Sequence, residues 1–362
     1  MRTGIKLSQY QQDMLDGQYG YPRQWAMQQL MQVAHFFGAS DFVAVSQAHI
    51  MCDTESLGEA GIVHLEHLAS HVLDQRTVAI PAITDPRGID LCAYQKLNQS
   101  EEFVDREQRT TRALKRMGIL MTDTCINYQS VVPPVFGEHI AFGDTGSTIY
   151  ANSVFGARSN FEGGPAGLAA ALTGCVPRYG YHLDDQRIPT HLFIVDFQPK
   201  TLSDWGALGA VIGKLSGSYW STPFITGVDV QPSSDALKHL GAAIASYGSV
   251  PLYLLEGISP EAENKTPLGN IGNDRTARID FDDIKDLYAN ASQNIPVDVV
   301  VFAAPQLSLF EIQDIVAILN GRRVHRNTQL FVATSPEIKH ACDRFRNKHH
   351  LAKQRHSVLS NR

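Results

Sequence analysis

The stretch ANSVFGARSNFEGGPAGLAAALTG, residues 151–174, joins a polar, glycine-rich segment to a run of small residues. TIYANS (148–153) predicts a short strand, and GGPAGLAAALTG (163–174) predicts a helix. The polar residues between them would then lie where a strand leads into a helix. Main-chain amides attract anions at such a place, and Arg158 could bind a carboxylate. A capped turn with a surface arginine fits the same pattern, so the residues leave both interpretations open.

Strands and helices alternate along most of the chain. Continuous apolar strands between helices indicate parallel sheets covered on both faces, so the predicted fold class is α/β. The apolar runs predict strands at 41–46, 77–83, 191–197, 222–228, 250–258, 297–305 and 328–334. Amphipathic periodicity predicts helices at 21–38, 54–72, 100–118, 204–217, 234–248 and 308–321, followed by a terminal helix.

Composition narrows the possible functions. The formal net charge of −6 argues against a general nucleic-acid binder, which normally has a basic face. The sequence contains no apolar run of about 18 residues and no apolar core of a signal peptide, so we expect a cytoplasmic protein without a membrane partner. Its 5 cysteines are scattered and odd in number, which argues against a disulfide framework.

Polar clusters follow or precede several predicted strands. In α/β sheets, ligands bind beyond the carboxyl ends of strands, so these clusters favour a pocket for a small acid. For a lone His49, a buried and satisfied imidazole is the simpler interpretation. The clusters contain Ser46 and His49; Thr84, Asp85 and Arg87; Cys125; Glu138 and His139; and His182 and Arg187.

The segment FGEHIAFGDTGSTIYANSVFGARSNFEGGPAGLAAALTGCVPRYGYHL (136–183) resembles the catalytic, large subunit of the aconitase X family. VSQAHI (45–50), DPRGIDL (85–91) and VDVVVFAAPQLSLFEI (297–312) match further blocks of that family. The resemblance implies aconitase-like stacked α/β/α domains with mostly parallel sheets, without the swivel domain. We expect a first α/β region at 1–200, containing the loop with Asn152, Ser153 and Arg158, and a second region at 201–362 that is shortened at its C-terminus.

The resemblance also implies a function. Family members dehydrate small hydroxy acids, including cis-3-hydroxy-L-proline and a phosphorylated mevalonate, and work with a small swivelling domain or subunit. We therefore expect a lyase that removes water from a small carboxylate substrate, with a possible swivel-domain subunit as partner. The expected catalytic residues are His49, Cys125, Glu138 and His139, and the expected substrate-binding residues are Ser46, Thr84, Asn152, Ser153, Arg158, Ser159 and Asn160.

The family resemblance also implies an iron centre held by cysteines, and the sequence departs from it. Cys125 matches one cluster cysteine, but Asp123, Ala304 and Gln306 stand at family ligand or neighbouring positions. An iron–sulfur cluster needs about three or four thiolates. We therefore expect no complete cluster, and either no cofactor or a non-standard metal centre involving Cys125 and Asp123. Two other functions stay open: a divergent, cluster-free enzyme for another elimination, isomerisation or cyclisation, and a non-catalytic subunit that binds a small acid.

Overall fold

The computed structural model describes residues 4–263, 271–289, 296–349 and 357–360. The helices are α1 Gln9–Leu15, α2 Tyr21–Phe37, α3 Thr54–Ser70, α4 Leu73–Arg76, α5 Glu101–Arg116, α6 Asn127–Ser130, α7 Thr145–Tyr150, α8 Gly164–Thr173, α9 Leu202–Ser216, α10 Ser234–Gly248, α11 Phe281–Ala289, α12 Leu309–Leu319 and α13 Pro336–His349. The strands are β1 Phe42–Ala44, β2 Ala48–Ile50, β3 Ala82–Thr84, β4 Ala141–Phe142, β5 Cys175–Pro177, β6 His191–Val195, β7 Pro223–Thr226, β8 Leu254–Leu255, β9 Thr276–Ile279, β10 Val299–Phe302, β11 Gln329–Thr334 and β12 Ser357–Ser360.

Three parallel sheets confirm the α/β class with mostly parallel sheets. Their strand orders are β3-β2-β4, β8-β7-β6-β9 and β10-β11-β12, and every pairing within them is parallel. The exception is the two-stranded pair of β1 and β5, which is antiparallel. The predicted strand at 41–46 therefore exists, but it lies outside the parallel sheets. Of the run predicted at 77–83, only its end pairs, as β3.

The prediction of a strand at TIYANS is wrong. Asp144 caps α7 by accepting a hydrogen bond from the Ser147 amide at 2.7 Å, and a π-helical segment, Ala151–Phe155, continues directly from that helix. Residues 147–153 are buried on every side. A short helix that is buried all round has no polar face, so its sequence shows no 3.6-residue periodicity and cannot be told from a buried strand.

The β3-β2-β4 sheet carries the candidate site. Ala48 of β2 pairs with Ala82 of β3 and with Ala141 of β4, so the carboxyl ends of the three strands lie at one edge. Helix α8 packs on this sheet through its small residues, with Ala169, Ala170 and Ala171 fully buried. None of the helices within the described ranges combines the length and the apolar character that a membrane crossing requires.

Helices α9 and α10 pack closely through glycines, which yields a stability prediction. A Cβ at Gly209 would lie 2.4 Å from the Leu240 carbonyl oxygen, whereas a Cβ at Gly206 would have no neighbour within 4 Å. We expect Gly209→Ala to destabilise the fold by about 1–3 kcal/mol, because the helices must separate to admit the methyl group. Gly206→Ala, in the same helix, should be neutral or stabilise by about 0.5–1 kcal/mol. Urea unfolding measures both, and equal midpoints for the two variants would contradict this account of the helix packing.

Candidate active site

Four ionisable side chains gather where β2 and β3 end and α7 begins. They are His49 on β2, Asp85 directly after β3, Cys125 in the loop between α5 and α6, and Asp144 at the N-cap of α7. We call these four residues the acid pocket. The charge of Asp144 acts on the pKa of each of the other three, so the four groups lie within electrostatic range of one another.

His49 is the most deeply buried residue of the acid pocket. The imidazole is fully buried, and its Nε2 lies 2.9 Å from the carbonyl oxygen of Thr124. Because a carbonyl oxygen only accepts, Nε2 carries the hydrogen in this arrangement and Nδ1 is the unprotonated nitrogen. Burial lowers the pKa of His49 although the Asp144 charge acts in the opposite direction, so the neutral ring is favoured.

Asp85 is a partly exposed neighbour of the buried His49. Its Oδ1 is 3.5 Å from His49 Nε2, and 15% of its side chain is exposed. Burial and the neighbouring charge of Asp144 raise the pKa of Asp85 well above the ordinary value, although Arg87 acts in the opposite direction. The environment therefore favours a protonated carboxyl group on a side chain that is partly exposed.

Cys125 hydrogen-bonds to Gln306, which is distant in the sequence. Its amide donates to Gln306 Oε1 at 3.2 Å, and the Gln306 amide donates to Cys125 Sγ at 3.3 Å. The side-chain amide of Gln306 also donates to the Asp123 carbonyl oxygen at 3.2 Å. Burial and the charges of Asp144 and Asp85 raise the pKa of Cys125 well above its ordinary value, so the thiol form is favoured.

These residues do not fit an iron–sulfur cluster. Such a cluster needs about three or four thiolates, whereas among the described residues Cys125 is the thiol at this place, and it hydrogen-bonds to Gln306, two positions after Ala304. Within the described ranges, no group of three or more His, Cys, Asp and Glu side chains is arranged to hold a metal ion. Asp123, a candidate for a smaller centre, accepts a hydrogen bond from Thr84 Oγ1 at 2.9 Å and lies 3.4 Å from Arg87 Nε.

A buried network of ion pairs stabilises the loop that follows β3. Arg87 is enclosed between Glu107, at 3.5 Å, and Asp123, and it donates to the Cys52 carbonyl oxygen at 2.9 Å. Thr84, expected to bind substrate, is fully buried and hydrogen-bonded to Asp123. Both residues therefore contact the protein itself and hold the loop that begins at Asp85.

The polar side chains of the loop at 152–160, the Asn152 loop, hydrogen-bond to the loop itself and to neighbouring segments of the chain. Asn152 Nδ2 donates to the carbonyl oxygens of Ser159 and Pro251, at 2.9 and 2.8 Å, and Ser153 Oγ accepts from the Tyr253 amide at 2.9 Å. Ser159 Oγ donates to the Asn160 carbonyl oxygen at 2.7 Å. Asn160 itself donates to Tyr179 and accepts from the Tyr181 amide, at 3.2 and 3.0 Å. All four of these polar side chains are buried and make bonds that fix the loop in place.

The other expected site residues lie on the amino-terminal side of the same sheet. Ser46 donates to Glu138, whose pKa is raised by burial but lowered overall by hydrogen bonds from Ser46, Val135 and Gln47. His139 Nδ1 lies 2.9 Å from His182 Nδ1, and burial lowers the pKa of His139 to about 4. Arg158 pairs with Asp184 and keeps 20% of its side chain exposed. The sheet separates this group from the carboxyl-edge loops that hold Asp85 and Asp144.

The sequence placed Asp85 only among the polar clusters of the expected pocket and Gln306 only at a position beside an expected cluster ligand, and it gave no role to Asp144. Asp85 was visible as a polar residue after a strand, but its nearness to His49 depends on the register of β2 with β3. The mistaken prediction of a strand at 148–153 concealed the role of Asp144 as the N-cap of α7. Its position before Thr145 and three residues before Ser147 is an N-cap signal that could have indicated the helix.

Two family models and a solved structure match this chain over most of its length. The family model for the aconitase X first domain matches residues 4–185, and the model for the aconitase X second domain matches residues 189–289. The predicted boundary at residue 200 stays a prediction. The crystal structure of Thermococcus kodakaraensis aconitase X (holo-form) superimposes with a TM-score of 0.87 at 28% identity, covering 99% of this chain and 88% of that one.

Two named relatives illustrate the range of the family. The phosphomevalonate dehydratase large subunit of Methanothermobacter thermautotrophicus is 35% identical over 342 residues, which are 94% of this chain and 83% of that protein. The cis-3-hydroxy-L-proline dehydratase of Pseudomonas aeruginosa is 28% identical over 341 residues, which are 93% of this chain and 58% of that protein. Together with the two family-model matches, these similarities establish that the chain belongs to the aconitase X family.

Proposed function

We propose that the chain is a hydro-lyase that removes water from a small hydroxy acid, and that the reaction takes place at the acid pocket. The named relatives are dehydratases, which supports the reaction class. The observation that carries the location is the pairing of Asp85 with His49. The two titratable groups lie 3.5 Å apart, and their environments shift the two pKa values in opposite directions, which is a common mark of a site for acid–base chemistry.

In this proposal Asp85 is the general acid. The carbon–oxygen bond of the substrate breaks, and the leaving hydroxyl takes the Asp85 proton and departs as water. The His49 Nε2–H donates to the Thr124 carbonyl oxygen and lies 3.5 Å from Asp85 Oδ1, so its dipole can favour the new carboxylate charge without a direct hydrogen bond. His49 thus acts through Asp85 and is a positioning residue, because its ring has no exposed surface.

The other half of the reaction needs a base that removes a proton from the carbon next to the acid group. Cys125 is unsuited to this role, because its raised pKa favours the neutral thiol. The archaeal relatives are named large subunits. We therefore propose that a small partner subunit, resembling the swivel domain of the family, closes over the acid pocket and supplies the base.

The proposal requires no iron–sulfur cluster. Asp85 protonates the leaving oxygen, which is the task that a Lewis acid would otherwise perform. Gln306 and Cys125 hydrogen-bond to each other at positions where, or beside which, the family resemblance implies cluster ligands. Chemical analysis of anaerobically purified protein should find iron and acid-labile sulfide well below one cluster for each chain, and stoichiometric amounts of both would contradict this part of the proposal.

The experiment that tests the reaction is purification of the full-length chain from its native cells under mild conditions. A smaller chain should co-elute with it, and the complex should convert a small hydroxy acid to the unsaturated product, followed by proton NMR. The chain alone should bind the acid but turn it over slowly. A complex that binds hydroxy acids and dehydrates none of them would favour the non-catalytic alternative.

A further inference from the structure

Gln306 is a buried residue whose four polar groups are all hydrogen-bonded. Its amide donates to Cys125 Sγ at 3.3 Å, and its Oε1 accepts from the Cys125 amide at 3.2 Å. Its Nε2 donates to the Asp123 carbonyl oxygen at 3.2 Å, and its own carbonyl oxygen accepts from Lys238 Nζ at 3.0 Å. These bonds form away from water, where an unmade bond is costly, so Gln306 fixes the loop between α5 and α6 that contains Cys125.

Lys238 reaches Gln306 from α10, within a buried cluster of charges. Its ammonium group pairs with Glu311 and lies 3.5 Å from Asp235 Oδ1. The same two carboxylates hold the start of α12, because Glu311 accepts from the Ser308 amide and Asp235 accepts from Ser308 Oγ, both at 2.7 Å. Desolvation of buried charges offsets most of their mutual attraction. Stability alone is therefore a weak explanation for a lysine at this place.

A continuous series of hydrogen bonds connects Lys238 to the acid pocket. It runs from Lys238 to the Gln306 carbonyl oxygen and from Gln306 to Cys125. Ser147 Oγ then donates to the Cys125 carbonyl oxygen at 2.9 Å, and the Ser147 amide donates to Asp144 at 2.7 Å. Cys125 and Asp144 are two of the four residues of the acid pocket, so a displacement of Gln306 would be transmitted to both.

We propose that Lys238 is a positioning residue for the reaction at the acid pocket, and that it acts through Gln306 on the loop that contains Cys125. The proposal rests on the dehydratase function proposed above. The Lys238 ammonium group fixes the main chain at Gln306, and the Gln306 side chain fixes the loop. Lys238 itself binds a main-chain oxygen and carboxylates outside the acid pocket, so it contributes geometry and takes no part in proton transfer.

Alkylation of the folded, full-length chain with iodoacetamide tests the proposal, with the rate at each cysteine measured by peptide mass spectrometry. Lys238→Met should label Cys125 at least about 10-fold faster, the change expected when a hydrogen bond from a charged group is lost. The exposed Cys92 should keep its rate within about twofold. Cys52 and Cys175 should stay slow, because both are buried in the core and react only when the fold opens.

The loss of the lysine charge cannot by itself produce faster labelling of Cys125. Burial is the main cause of the raised pKa of Cys125, and the charge of Lys238 acts in the opposite direction. Removing that charge alone would raise the pKa further and slow alkylation, which requires the thiolate. Faster labelling would therefore report a loop that has moved.

Gln306→Ala tests the route by which Lys238 acts. This variant should also speed the labelling of Cys125. When Lys238→Met is added to Gln306→Ala, the further increase should be less than about threefold, because the side-chain bonds that transmit the effect are already lost. Two effects that multiply in full would overturn the proposal.

A charge-balanced variant controls for unfolding. Lys238→Met leaves Glu311 and Asp235 without this counter-charge, which destabilises the fold. Lys238→Met/Glu311→Gln removes one of the two carboxylates and should show the same increase at Cys125. A parallel increase at Cys52 and Cys175 in both variants would mean that the whole chain opens, and it would overturn the proposal. An unchanged Cys125 rate in the folded, charge-balanced variant would overturn it as well.

Turnover separates this proposal from the one on which it rests, with cis-3-hydroxy-L-proline and mevalonate 5-phosphate as trial substrates of the complex. Lys238→Met should lower kcat about 10- to 100-fold, the cost of misplaced reacting groups. Lys285→Met removes an exposed lysine on α11 and should leave kcat within about twofold. An unchanged kcat in Lys238→Met would overturn the proposal. Faster labelling of Cys125 in a complex that dehydrates no hydroxy acid would retain the hold of Lys238 on the loop and remove the dehydratase function.

Discussion

Asp85→Asn is expected to lower kcat for dehydration by about 10²–10⁴-fold, the usual contribution of a general acid. Asparagine has nearly the same shape as protonated aspartic acid, but it has no proton to give to the leaving hydroxyl. The measurement is the initial rate of product formation by the complex under saturating substrate. Substrate affinity should change much less than kcat, because the lost interaction develops only in the transition state.

The same variant should not be less stable than the original chain at neutral pH. The unfolded aspartate releases its proton near its ordinary pKa of 3.8, whereas burial raises the pKa of Asp85 in the folded chain. Above about pH 4 the folded chain therefore retains a proton that the unfolded chain has lost, and the stability contributed by this residue falls as pH rises. Asparagine does not ionise, so Asp85→Asn escapes this penalty, and lost activity cannot then be ascribed to unfolding.

Asp90→Asn is the control for this experiment. Asp90 is a buried aspartate in the same loop, where it accepts hydrogen bonds from the amides of Cys92 and Ala93 at 2.8 and 2.9 Å. An asparagine oxygen can accept both bonds, so kcat should stay within about threefold of the original value. A kcat near the original value in Asp85→Asn would remove Asp85 from the reaction.

Arg187→Met is expected to give the largest loss of stability, about 3–5 kcal/mol. Arg187 is fully buried and pairs with Glu261, with Nε 2.8 Å from Oε1. It also donates to the carbonyl oxygens of Asn152 and Tyr181, at 3.2 and 3.1 Å. Methionine keeps much of the side-chain volume but leaves the Glu261 carboxylate buried without this counter-charge, which is the costly part of breaking a buried ion pair.

Arg278→Met provides the comparison. The Arg278 guanidinium pairs with Asp196 at 2.9 Å, but 67% of its side chain is exposed. Water screens such a pair, so its loss should cost less than about 1 kcal/mol. Urea unfolding of both variants measures the difference, and similar midpoints would contradict a large contribution of the buried Arg187–Glu261 pair to stability.

The sequence predicted the elements that have a clear pattern of their own. Helix α2 has an apolar stripe and ends at Gly38, which adopts the left-handed conformation, and α5 has acidic residues in its first turn and basic residues in its last. The strands β6 and β7 are continuous apolar runs between amphipathic helices. In these cases local propensity and tertiary environment agree, so a single sequence is sufficient to predict the element.

The candidate site was less predictable, because it is assembled by tertiary contacts. Cys125 and Gln306 are 181 positions apart in the sequence and form a hydrogen bond, and no local sequence pattern indicates this contact. Asn152 and Asn160 looked like ligand-binding residues because they are polar and precede a helix, yet they hydrogen-bond to the chain itself. Buried polar side chains must find partners, and sequence does not say whether the partner is a ligand or the backbone.

The central claim is that Asp85 is a protonated carboxylic acid at the pH where the enzyme works. Infrared spectroscopy of the full-length chain at neutral pH measures this directly, as the carbonyl stretch of a protonated carboxyl group in the difference spectrum between the original chain and Asp85→Asn. We predict such a band, shifted in heavy water and absent from the variant. A difference spectrum that contains only the bands of an ionised carboxylate would contradict the account.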